Sequence, residues 1–381
     1  MDMKTIYFDN AATTPMLSEV ITVMQEAMET NYGNPSSTHQ MGRKAKVVVE
    51  TARKKIAKQL KVTAKEIVFV SSGTEGNNLI LNNAVKNLNI ERIVTTKIEH
   101  HAVLNVVENL RSEHGIEIVY LPVNKNGEVD IEVLKLVLLE NDKKTMVSLM
   151  MVNNEIGNIL PVKEVSEICQ ESKALLHTDA VQAVGHIDIN LEKYPVDFLV
   201  ASAHKFHGPK GIGFVYFNDK HIVKPMLLGG NQEKGIRSST ENVHGILGME
   251  KALEMSLQNL ETNKEYVLSL KKYFCEKLKE VFQDVSFNGN SSDAEKSSPY
   301  ILNVRFPISD KMLLFNLDLS GVMASSGSAC QSGGKKVSHV LKEMLDEDEL
   351  NKTSIRFSFS KFSTKEQVET VIDKIKLLLK K

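Results

Sequence analysis

The sequence predicts an α/β protein with a mainly parallel sheet and a second, smaller α/β domain. Between about residues 45 and 230, helix-like and strand-like patterns alternate, which is the order that produces parallel strands joined by helices. The strand-like segments are short apolar runs, as expected for strands that are buried on both faces. The length of 381 residues exceeds what one ordinary core fills, so a large and a small domain are expected.

The elements follow from the hydrophobic pattern in chain order. Residues 44–60 have amphipathic helical spacing, and strands are predicted at 67–70, 92–95, 146–150, 174–177 and 197–200. A long helical pattern then covers about residues 243–285, including 253–278. Residues 288–298 are rich in Asn, Ser, Asp and Gly and indicate an exposed loop. The smaller region is predicted to contain strands at 300–304 and 354–358 and a closing helix at 365–380.

Composition and charge exclude several classes of protein. Hydrophobic residues make up 42% of the chain and charged residues 25%, which is typical of a globular protein. The 47 basic and 48 acidic side chains nearly cancel, so neither direct nucleic-acid binding nor attraction to an anionic membrane is expected. The sequence has no secretory signal pattern and no apolar run of the roughly 20 residues that a membrane-spanning helix needs. We therefore expect a cytoplasmic protein.

The three cysteines argue against a disulfide framework. Cys169, Cys275 and Cys330 are an odd number and include no CxxC pair, which also argues against a structural zinc site, so no metal is expected. Cys169 and Cys275 lie in helical patterns and are interpreted as packing thiols. Cys330 lies among small residues, where an accessible thiol can become a nucleophilic thiolate. A plain loop cysteine is the alternative.

Polar residues of chemical interest follow several predicted strands, and the carboxyl ends of parallel strands share one edge of a sheet. Lys205 follows a strand in a turn rich in His and Gly, where partial desolvation would suit it to Schiff-base chemistry. Asp179, at the end of another strand, can pair with the pyridine nitrogen of pyridoxal phosphate (PLP). A solvated loop lysine and a helix N-cap are the respective alternatives.

The segment 71–78 follows a strand and leads into a helical pattern. Backbone N–H groups at such a helix start, together with hydroxyl groups, form an anion site that suits a cofactor phosphate. The segment contains neither GK[ST] nor GxGxxG, which argues against nucleoside-triphosphate and nicotinamide binding.

The chain resembles the group I cysteine desulfurases, the NifS/IscS-like branch of the class V aminotransferase family of PLP enzymes. The resemblance rests on motifs that occur in the same order at 7–15, 33–39, 72–75, 99–100, 153–157, 177–182, 202–205, 229–242, 325–330 and 354–358. It implies PLP-dependent transferase fold type I, with a mainly parallel seven-stranded sheet in a large domain at 16–255. The smaller α/β domain would comprise 1–15 and 256–381 and carry a mobile cysteine loop at about 322–336.

The resemblance also implies the site. Lys205 would hold PLP and move the substrate α-proton, His100 would stack on the cofactor ring and act as acid or base, and Cys330 would accept the sulfur. The implied cofactor contacts are Gly73, Thr74, His100, Asn154, Asp179, Gln182, Ser202, His204, Lys205 and Thr240. Asn34, Asn154 and Arg356 would bind the substrate, since a guanidinium suits a carboxylate. Thr240 would reach the phosphate of the neighbouring subunit, which implies a homodimer.

The implied activity converts L-cysteine to L-alanine and passes the sulfur, as a Cys330 persulfide, to an acceptor protein. That acceptor would be an iron–sulfur scaffold or a tRNA thiolase. A PLP-dependent selenocysteine lyase or another lyase of the family is the main alternative, because it would share Lys205 and Asp179 without requiring Cys330. An ordinary aminotransferase and a binding protein built on an inactive PLP fold are further alternatives.

Three residues depart from the family pattern. Ser72, Ser239 and Ser360 stand where the family usually has glycine. Serine in place of glycine is costly wherever φ is positive. The contact made by Thr240, the neighbour of Ser239, is therefore the one that these departures put most in question.

Overall fold

The computed structural model describes residues 5–140, 142–327 and 337–379. The strands are β1 Ile6–Tyr7, β2 Ile67–Val70, β3 Arg92–Thr96, β4 Glu117–Leu121, β5 Thr145–Ser148, β6 Leu175–Asp179, β7 Phe198–Ser202, β8 Gly213–Phe217, β9 Ser286–Phe287, β10 Ile301–Arg305, β11 Val322–Met323 and β12 Ser354–Ser358. The helices are α1 Ser18–Thr30, α2 Gln40–Gln59, α3 Gly73–Lys86, α4 His101–His114, α5 Ile131–Leu139, α6 Val162–Glu171, α7 Val243–Gln258, α8 Leu260–Val281, α9 Leu313–Leu319, α10 His339–Lys342, α11 Glu347–Leu350 and α12 Lys365–Leu379. Short 3-10 turns occupy Ala64–Glu66, Ala203–Lys205 and Gln232–Gly235.

A seven-stranded sheet forms the centre of the larger part of the molecule. Its strand order is β2-β8-β7-β6-β5-β3-β4, and only β8 runs antiparallel to its neighbours. Every residue of β2, β3, β5, β7 and β8 is buried, as expected for strands covered on both faces. The predicted mainly parallel seven-stranded sheet is confirmed. Strands β3, β5, β6 and β7 therefore end at the same edge.

Helices cover both faces of this sheet. A cluster that includes Ile56 of α2 and Ile246 of α7 fills one face. A second cluster, with Ile80 of α3 and Val103 of α4, fills the other. Each helix buries one apolar face against a flat apolar sheet, which produces three layers around a double core.

The smaller region has its own sheet and core. Strands β12, β10 and β9 form an antiparallel sheet, and β1 pairs in parallel with β11. Phe274 of α8 packs edge-on against Phe357 at 5.1 Å between ring centroids, and Phe8 packs against Phe359 at 5.1 Å. The N-terminal strand thus shares a core with the C-terminal third of the chain. The domain limits given above stay a prediction.

The structure differs from the pattern-based expectation in several places. Asn288, Ser291, Ser297 and Ser298 of the expected exposed loop are buried. The helical pattern 253–278 is interrupted at Asn259, whose φ of −113° and ψ of 19° separate α7 from α8, because asparagine favours helix ends over helix interiors. Strands β4 and β8 were not predicted; β4 is a half-buried edge strand and β8 directly follows a glycine-rich turn. Within the described ranges, no helix is long and apolar enough to cross a membrane.

Candidate active site

A cleft opens where the parallel strands end. Its volume is about 190 Å³. The sheet, α3, the N-terminal segment and β12 all contribute to its wall. The lining residues are Ala11, Ala12, Ser72, Gly73, Thr74, His100, Met150, Val152, Asn154, Asp179, Val181, Gln182, Ser202, His204, Lys205 and Arg356.

Lys205 is half-buried in the 3-10 turn that follows β7. Its Nζ donates hydrogen bonds to the carbonyl oxygens of Ala11 at 2.6 Å and Ala12 at 2.8 Å. The ring Nε2 of His186 lies 2.8 Å from the Lys205 carbonyl oxygen and fixes the backbone of the turn. The sequence did not reveal the role of Ala11 and Ala12, because contacts through carbonyl oxygens place no demand on the side chain.

Asp179 lies at the end of β6 with 7% of its surface exposed. Its Oδ2 accepts a hydrogen bond from Asn77 Nδ2 at 2.7 Å, and its Oδ1 accepts one from the Val181 backbone N–H at 3.0 Å. The second bond is a local contact between a side chain and the backbone two residues later, of the kind expected if Asp179 caps a helix. Both oxygens are thus held in place at the cleft wall. Asn77 was not identified from the sequence, although a buried asparagine inside a helix is a signal for a polar partner.

His100 is the N-cap of α4, and its Nδ1 accepts a hydrogen bond from the Ala102 backbone N–H at 3.1 Å. Since Nδ1 is the acceptor, we assign the proton of the neutral ring to Nε2. Burial lowers the pKa of His100, with Asp179 opposing the shift and Lys205 reinforcing it. The imidazole is therefore neutral near pH 7, and its Nε2–H can donate a hydrogen bond.

The start of α3 forms an anion cradle beside these groups. The first N–H groups of a helix have no partner within it and carry a partial positive charge, so those of Gly73 and Thr74 are available to a phosphate. A Cβ atom at Gly73 would lie 2.7 Å from Val181 Cγ2, which explains glycine at this position. Ser202 and His204 lie in the same wall. Burial, with nearby Lys205 and Lys210, lowers the pKa of His204 to about 4.

Serine at position 72 causes no backbone strain. Its φ of −169° is extended backbone, and its Oγ accepts a hydrogen bond from the Glu75 N–H at 3.2 Å as the cap of α3. Ser360 is also accommodated, because its N–H and Oγ bond within a tight turn that includes Ser363 and Phe362. Ser239, in contrast, has a φ of +105°, a value that favours glycine. Of the three serines, only Ser239 has a strained backbone, and the contact predicted for the neighbouring Thr240 is questioned on that ground alone.

Arg356 reaches the cleft from β12 with 1% of its surface exposed. Its Nη1 donates to the Asn154 carbonyl oxygen at 2.8 Å, and its Nη2 to Asp9 Oδ1 at 2.9 Å. Its Nε has no hydrogen-bond partner among the described residues. The guanidinium therefore forms an ion pair at the cleft wall, and its geometry suits a ligand carboxylate.

Of the other predicted residues, Asn34 and Thr240 do not line the cleft in this chain, whereas Gln182 does. Asn34 is exposed and is not part of the cleft wall; its Oδ1 accepts a hydrogen bond from the Ser36 N–H at 2.9 Å. Thr240 lines a separate cleft with Ser71 and Arg237. Gln182 is in the wall, and its Nε2 donates to the Ala11 carbonyl oxygen at 2.8 Å. Cys330 lies outside the described residues.

The other two cysteines are buried in helices. Burial raises the pKa of Cys169 to about 12 and that of Cys275 to about 11. Both thiols are therefore protonated and poor nucleophiles at neutral pH. This agrees with their interpretation as packing residues.

The cleft fits PLP bound with an amino acid. Asp179 supplies a carboxylate for a pyridinium nitrogen, Lys205 an amine for the aldehyde carbon, and the start of α3 an anion cradle for the phosphate. Arg356 supplies a donor for a substrate carboxylate. Among the described residues, no cluster of His, Cys, Asp and Glu is arranged to hold a metal ion.

Comparison with known proteins places these features in a wider group. Residues 6–371 match the family described as aminotransferase class-V. A cysteine desulfurase IscS of Dictyoglomus turgidum is 40% identical over 379 residues, which cover 99% of this chain and 95% of the relative. One from Methanosarcina thermophila is 38% identical over 385 residues, covering 99% and 93%.

Solved structures agree in fold. A NifS-like protein superposes with a TM-score of 0.89 at 36% identity and covers 99% of this chain and 100% of its own. A structure titled SspA in complex with cysteine superposes with a TM-score of 0.81 at 31% identity, covering 94% and 100%.

Proposed function

The chain belongs to the class-V aminotransferase family, and we propose that it is a PLP-dependent cysteine desulfurase whose chemistry is divided between Lys205 and Cys330. The observation that carries the proposal is the cleft in which Lys205, Asp179 and Arg356 meet. These three residues lie in the 3-10 turn after β7, at the end of β6 and in β12, and they are far apart in sequence. Their convergence supports a site for an amino acid bound to PLP.

When bound, PLP supplies an electron sink that stabilises negative charge at the substrate α-carbon. Asp179 keeps the pyridine nitrogen protonated, and its two fixed oxygens cost no reorganisation when charge develops. Gly73, Thr74, Ser202 and His204 hold the phosphate. Gln182 donates to the ring oxygen, and His100 covers the ring. Asn154 completes the set of cofactor contacts from the loop after β5.

Lys205 holds and moves the α-proton. In the structure its Nζ donates hydrogen bonds to the Ala11 and Ala12 carbonyl oxygens. Those two acceptors give the released side chain a fixed resting place while it carries the proton. His100, neutral with its hydrogen on Nε2, can donate a hydrogen bond from Nε2 in the cleft wall, and it acts as an acid only after Nδ1 also takes up a proton.

Arg356 and Asn154 position the substrate by its carboxylate, and Asn34 assists when the substrate is bound. The Cys330 thiolate then attacks the sulfur of the bound cysteine. An S–S bond forms as the substrate Cβ–S bond breaks, and protonation of the carbon skeleton gives L-alanine. The sulfur remains on Cys330 as a persulfide.

The persulfide passes to an acceptor protein, either an iron–sulfur scaffold or a tRNA thiolase. We further propose a homodimer in which Thr240 contributes to the phosphate site of the neighbouring subunit. The separate location of Thr240, away from Lys205 in the same chain, supports this arrangement. A cytoplasmic location completes the proposal, since a reducing compartment keeps a transfer thiol available.

The test is alanine and sulfide release from L-cysteine by purified holoenzyme in the presence of a thiol reductant. Wild type is expected to release both in equal amounts. Lys205→Ala is expected to lose both activities together with the visible absorbance of the lysine-bound cofactor. Full activity of Cys330→Ala on L-cysteine would contradict the persulfide step, and activity of that variant on selenocysteine alone would favour a selenocysteine lyase.

A further inference from the structure

His186 is a buried histidine that contacts the main chain of Lys205 without lining the cleft. It lies in the turn 181–186 that follows β6, with 9% of its surface exposed. Its Nε2 is 2.8 Å from the Lys205 carbonyl oxygen. A carbonyl oxygen can only accept a hydrogen bond, so Nε2 carries the hydrogen and donates it. The tautomer of His186 is thus assigned by the residue that it contacts.

The ring of His186 is neutral near pH 7. Burial lowers the pKa of His186 to about 4; the hydrogen bond to the Lys205 carbonyl oxygen opposes this shift and the nearby His207 reinforces it. The contact is therefore a hydrogen bond between two neutral groups. It acts on the geometry of the lysine turn and adds no charge beside the cleft.

Gly185 brings the turn after β6 directly against the lysine turn. It has a φ of +80°, and a Cβ atom at this position would lie 2.6 Å from Phe206 Cβ. Glycine is therefore needed both for the backbone conformation and for the close approach. Gly185 and His186 contact Phe206 and Lys205 respectively, so two consecutive residues of one turn hold two consecutive residues of the other.

The His186 ring also contacts the smaller region. It packs on Tyr300 with 4.3 Å between ring centroids and 41° between ring planes. Tyr300 directly precedes β10, and its carbonyl oxygen accepts a hydrogen bond from the Phe359 N–H at 2.8 Å. Phe359 directly follows β12, the strand that carries Arg356. One side chain therefore links the turn of Lys205 to the small sheet.

We infer that His186 is a positioning residue for Lys205, which sets the lysine turn relative to the small sheet that carries Arg356. The inference rests on the proposed desulfurase function. In that function Lys205 reaches the α-carbon of a substrate whose carboxylate is held by Arg356, so the separation of these two residues decides whether the proton can be transferred. Loss of the His186 donor is expected to slow proton removal and to leave substrate binding nearly unchanged, because Arg356 itself is intact.

The experiment removes the donor and keeps the ring. His186→Phe can still pack on Tyr300 but cannot donate to the Lys205 carbonyl oxygen. Exchange of the α-proton of L-alanine in D₂O, followed by NMR on holoenzyme, reports the Lys205 step because alanine contains no sulfur. At saturating alanine the variant is expected to exchange about 10-fold more slowly than wild type, within the roughly 100-fold loss that a misplacement of about 1 Å causes. The alanine concentration for half-maximal exchange is expected to stay near the wild-type value.

Two other substitutions at the same position separate the donor from the ring. His186→Gln keeps an N–H donor at a reach similar to that of Nε2 and is expected to recover most of the exchange rate. His186→Asn carries the same amide on a side chain that is one carbon shorter and falls short of the carbonyl oxygen. It is expected to behave like His186→Phe, and it carries the test if His186→Phe does not fold.

The tautomer of His186 can be measured without any reaction. In protein labelled with ¹⁵N-histidine, the ring nitrogens of His186 are expected to show a neutral ring with hydrogen on Nε2 between about pH 6 and 8, because the pKa is lowered to about 4. The signal is identified by its absence from the His186→Phe or His186→Asn spectrum. A charged ring, or hydrogen on Nδ1 alone, would contradict the bond to Lys205.

His221→Phe is the matched control for a general loss of stability. Its ring Nε2 lies 2.6 Å from Asp197 Oδ1, and the ring packs on Phe198 with 5.2 Å between centroids. Phe198 is the first residue of β7, at the end of the strand opposite to the lysine turn. The control is expected to lower the unfolding temperature and to leave the exchange rate unchanged.

Wild-type exchange at saturating alanine in His186→Phe would overturn the inference. Equal losses in His186→Phe and His186→Gln would also overturn it, because the donor would then not be the group that matters. A matching loss in His221→Phe would indicate a general effect of destabilisation. Failure of wild-type holoenzyme to exchange alanine and to release alanine from L-cysteine would instead contradict the proposed function, so the two failures are distinguishable.

Discussion

Replacing Arg356 with lysine tests whether this residue binds substrate or only completes an ion pair. The guanidinium donates to the Asn154 carbonyl oxygen at 2.8 Å and to Asp9 at 2.9 Å, and its Nε has no partner among the described residues. Lysine keeps the positive charge but lacks the planar fork of guanidinium donors, so it cannot reproduce their directions toward the internal partners and a substrate carboxylate together. The substitution should therefore remove a hydrogen bond to the substrate.

The size of the effect follows from the kind of bond that is lost. A hydrogen bond to a charged group contributes about 1.5–3 kcal/mol. At about 1.4 kcal/mol for each factor of ten, KM for L-cysteine is expected to rise roughly 10- to 150-fold. The rate at saturating substrate is expected to fall much less, since Lys205 and Asp179 are unchanged. Steady-state kinetics on L-cysteine with holoenzyme measures both quantities.

Asp9→Asn is the matched control for Arg356→Lys. It removes the charge of the internal partner, whose side chain is 17% exposed, and leaves the guanidinium intact. We expect it to lower the unfolding temperature while KM stays near the wild-type value. If both variants lose stability alike and neither changes KM, Arg356 belongs to the ion pair alone and the substrate assignment is wrong.

Three further predictions concern stability, measured by denaturant unfolding. Ser239→Gly is expected to stabilise the protein by about 1 kcal/mol, because Ser239 adopts a φ of +105° that favours glycine; no gain would mean that the conformation is unstrained. Glu233→Ala should cost about 3–5 kcal/mol, because it removes the buried carboxylate that pairs with Arg53 at 2.7 Å and leaves this buried guanidinium only the partly exposed Glu50 as a charged partner; a loss below 1 kcal/mol would contradict this. Burial lowers the pKa of Lys271 to about 7, so the unfolded chain binds the extra proton between pH 7 and roughly 10, and stability should rise with pH in that window. Lys271→Met should flatten that rise, and an unchanged slope would contradict the lowered pKa.

The pattern of the sequence was sufficient for the central sheet and for the position of its functional edge. Strand β2 occupies the predicted apolar run Ile67–Val70, because a strand buried on both faces is continuously apolar. Strand β12 occupies the predicted range Ser354–Ser358. Strand β4 was missed because an edge strand is only half-buried and its pattern is weaker. The division at Asn259 depends on local backbone angles that the helical period does not encode.

The candidate site, like the fold, could be predicted only in part from the sequence. The chemistry of Lys205, Asp179 and Arg356 is carried by side-chain type and could be recognised in the sequence. The contacts that hold these side chains are made largely by backbone groups, such as the carbonyl oxygens of Ala11 and Ala12 and the N–H of Val181. Such contacts depend on where the chain passes in three dimensions, so that residue type gives no sign of them. The strain at Ser239 and the relaxed backbone at Ser72 likewise required φ angles.

The most direct test of the account is the mass of the peptide that contains Cys330 after a single turnover with L-cysteine. Wild-type holoenzyme is expected to gain one sulfur atom on that peptide and to release one equivalent of L-alanine. Lys205→Ala is expected to show neither change. Release of alanine from wild type without added sulfur on Cys330 would contradict the division of chemistry between these two residues.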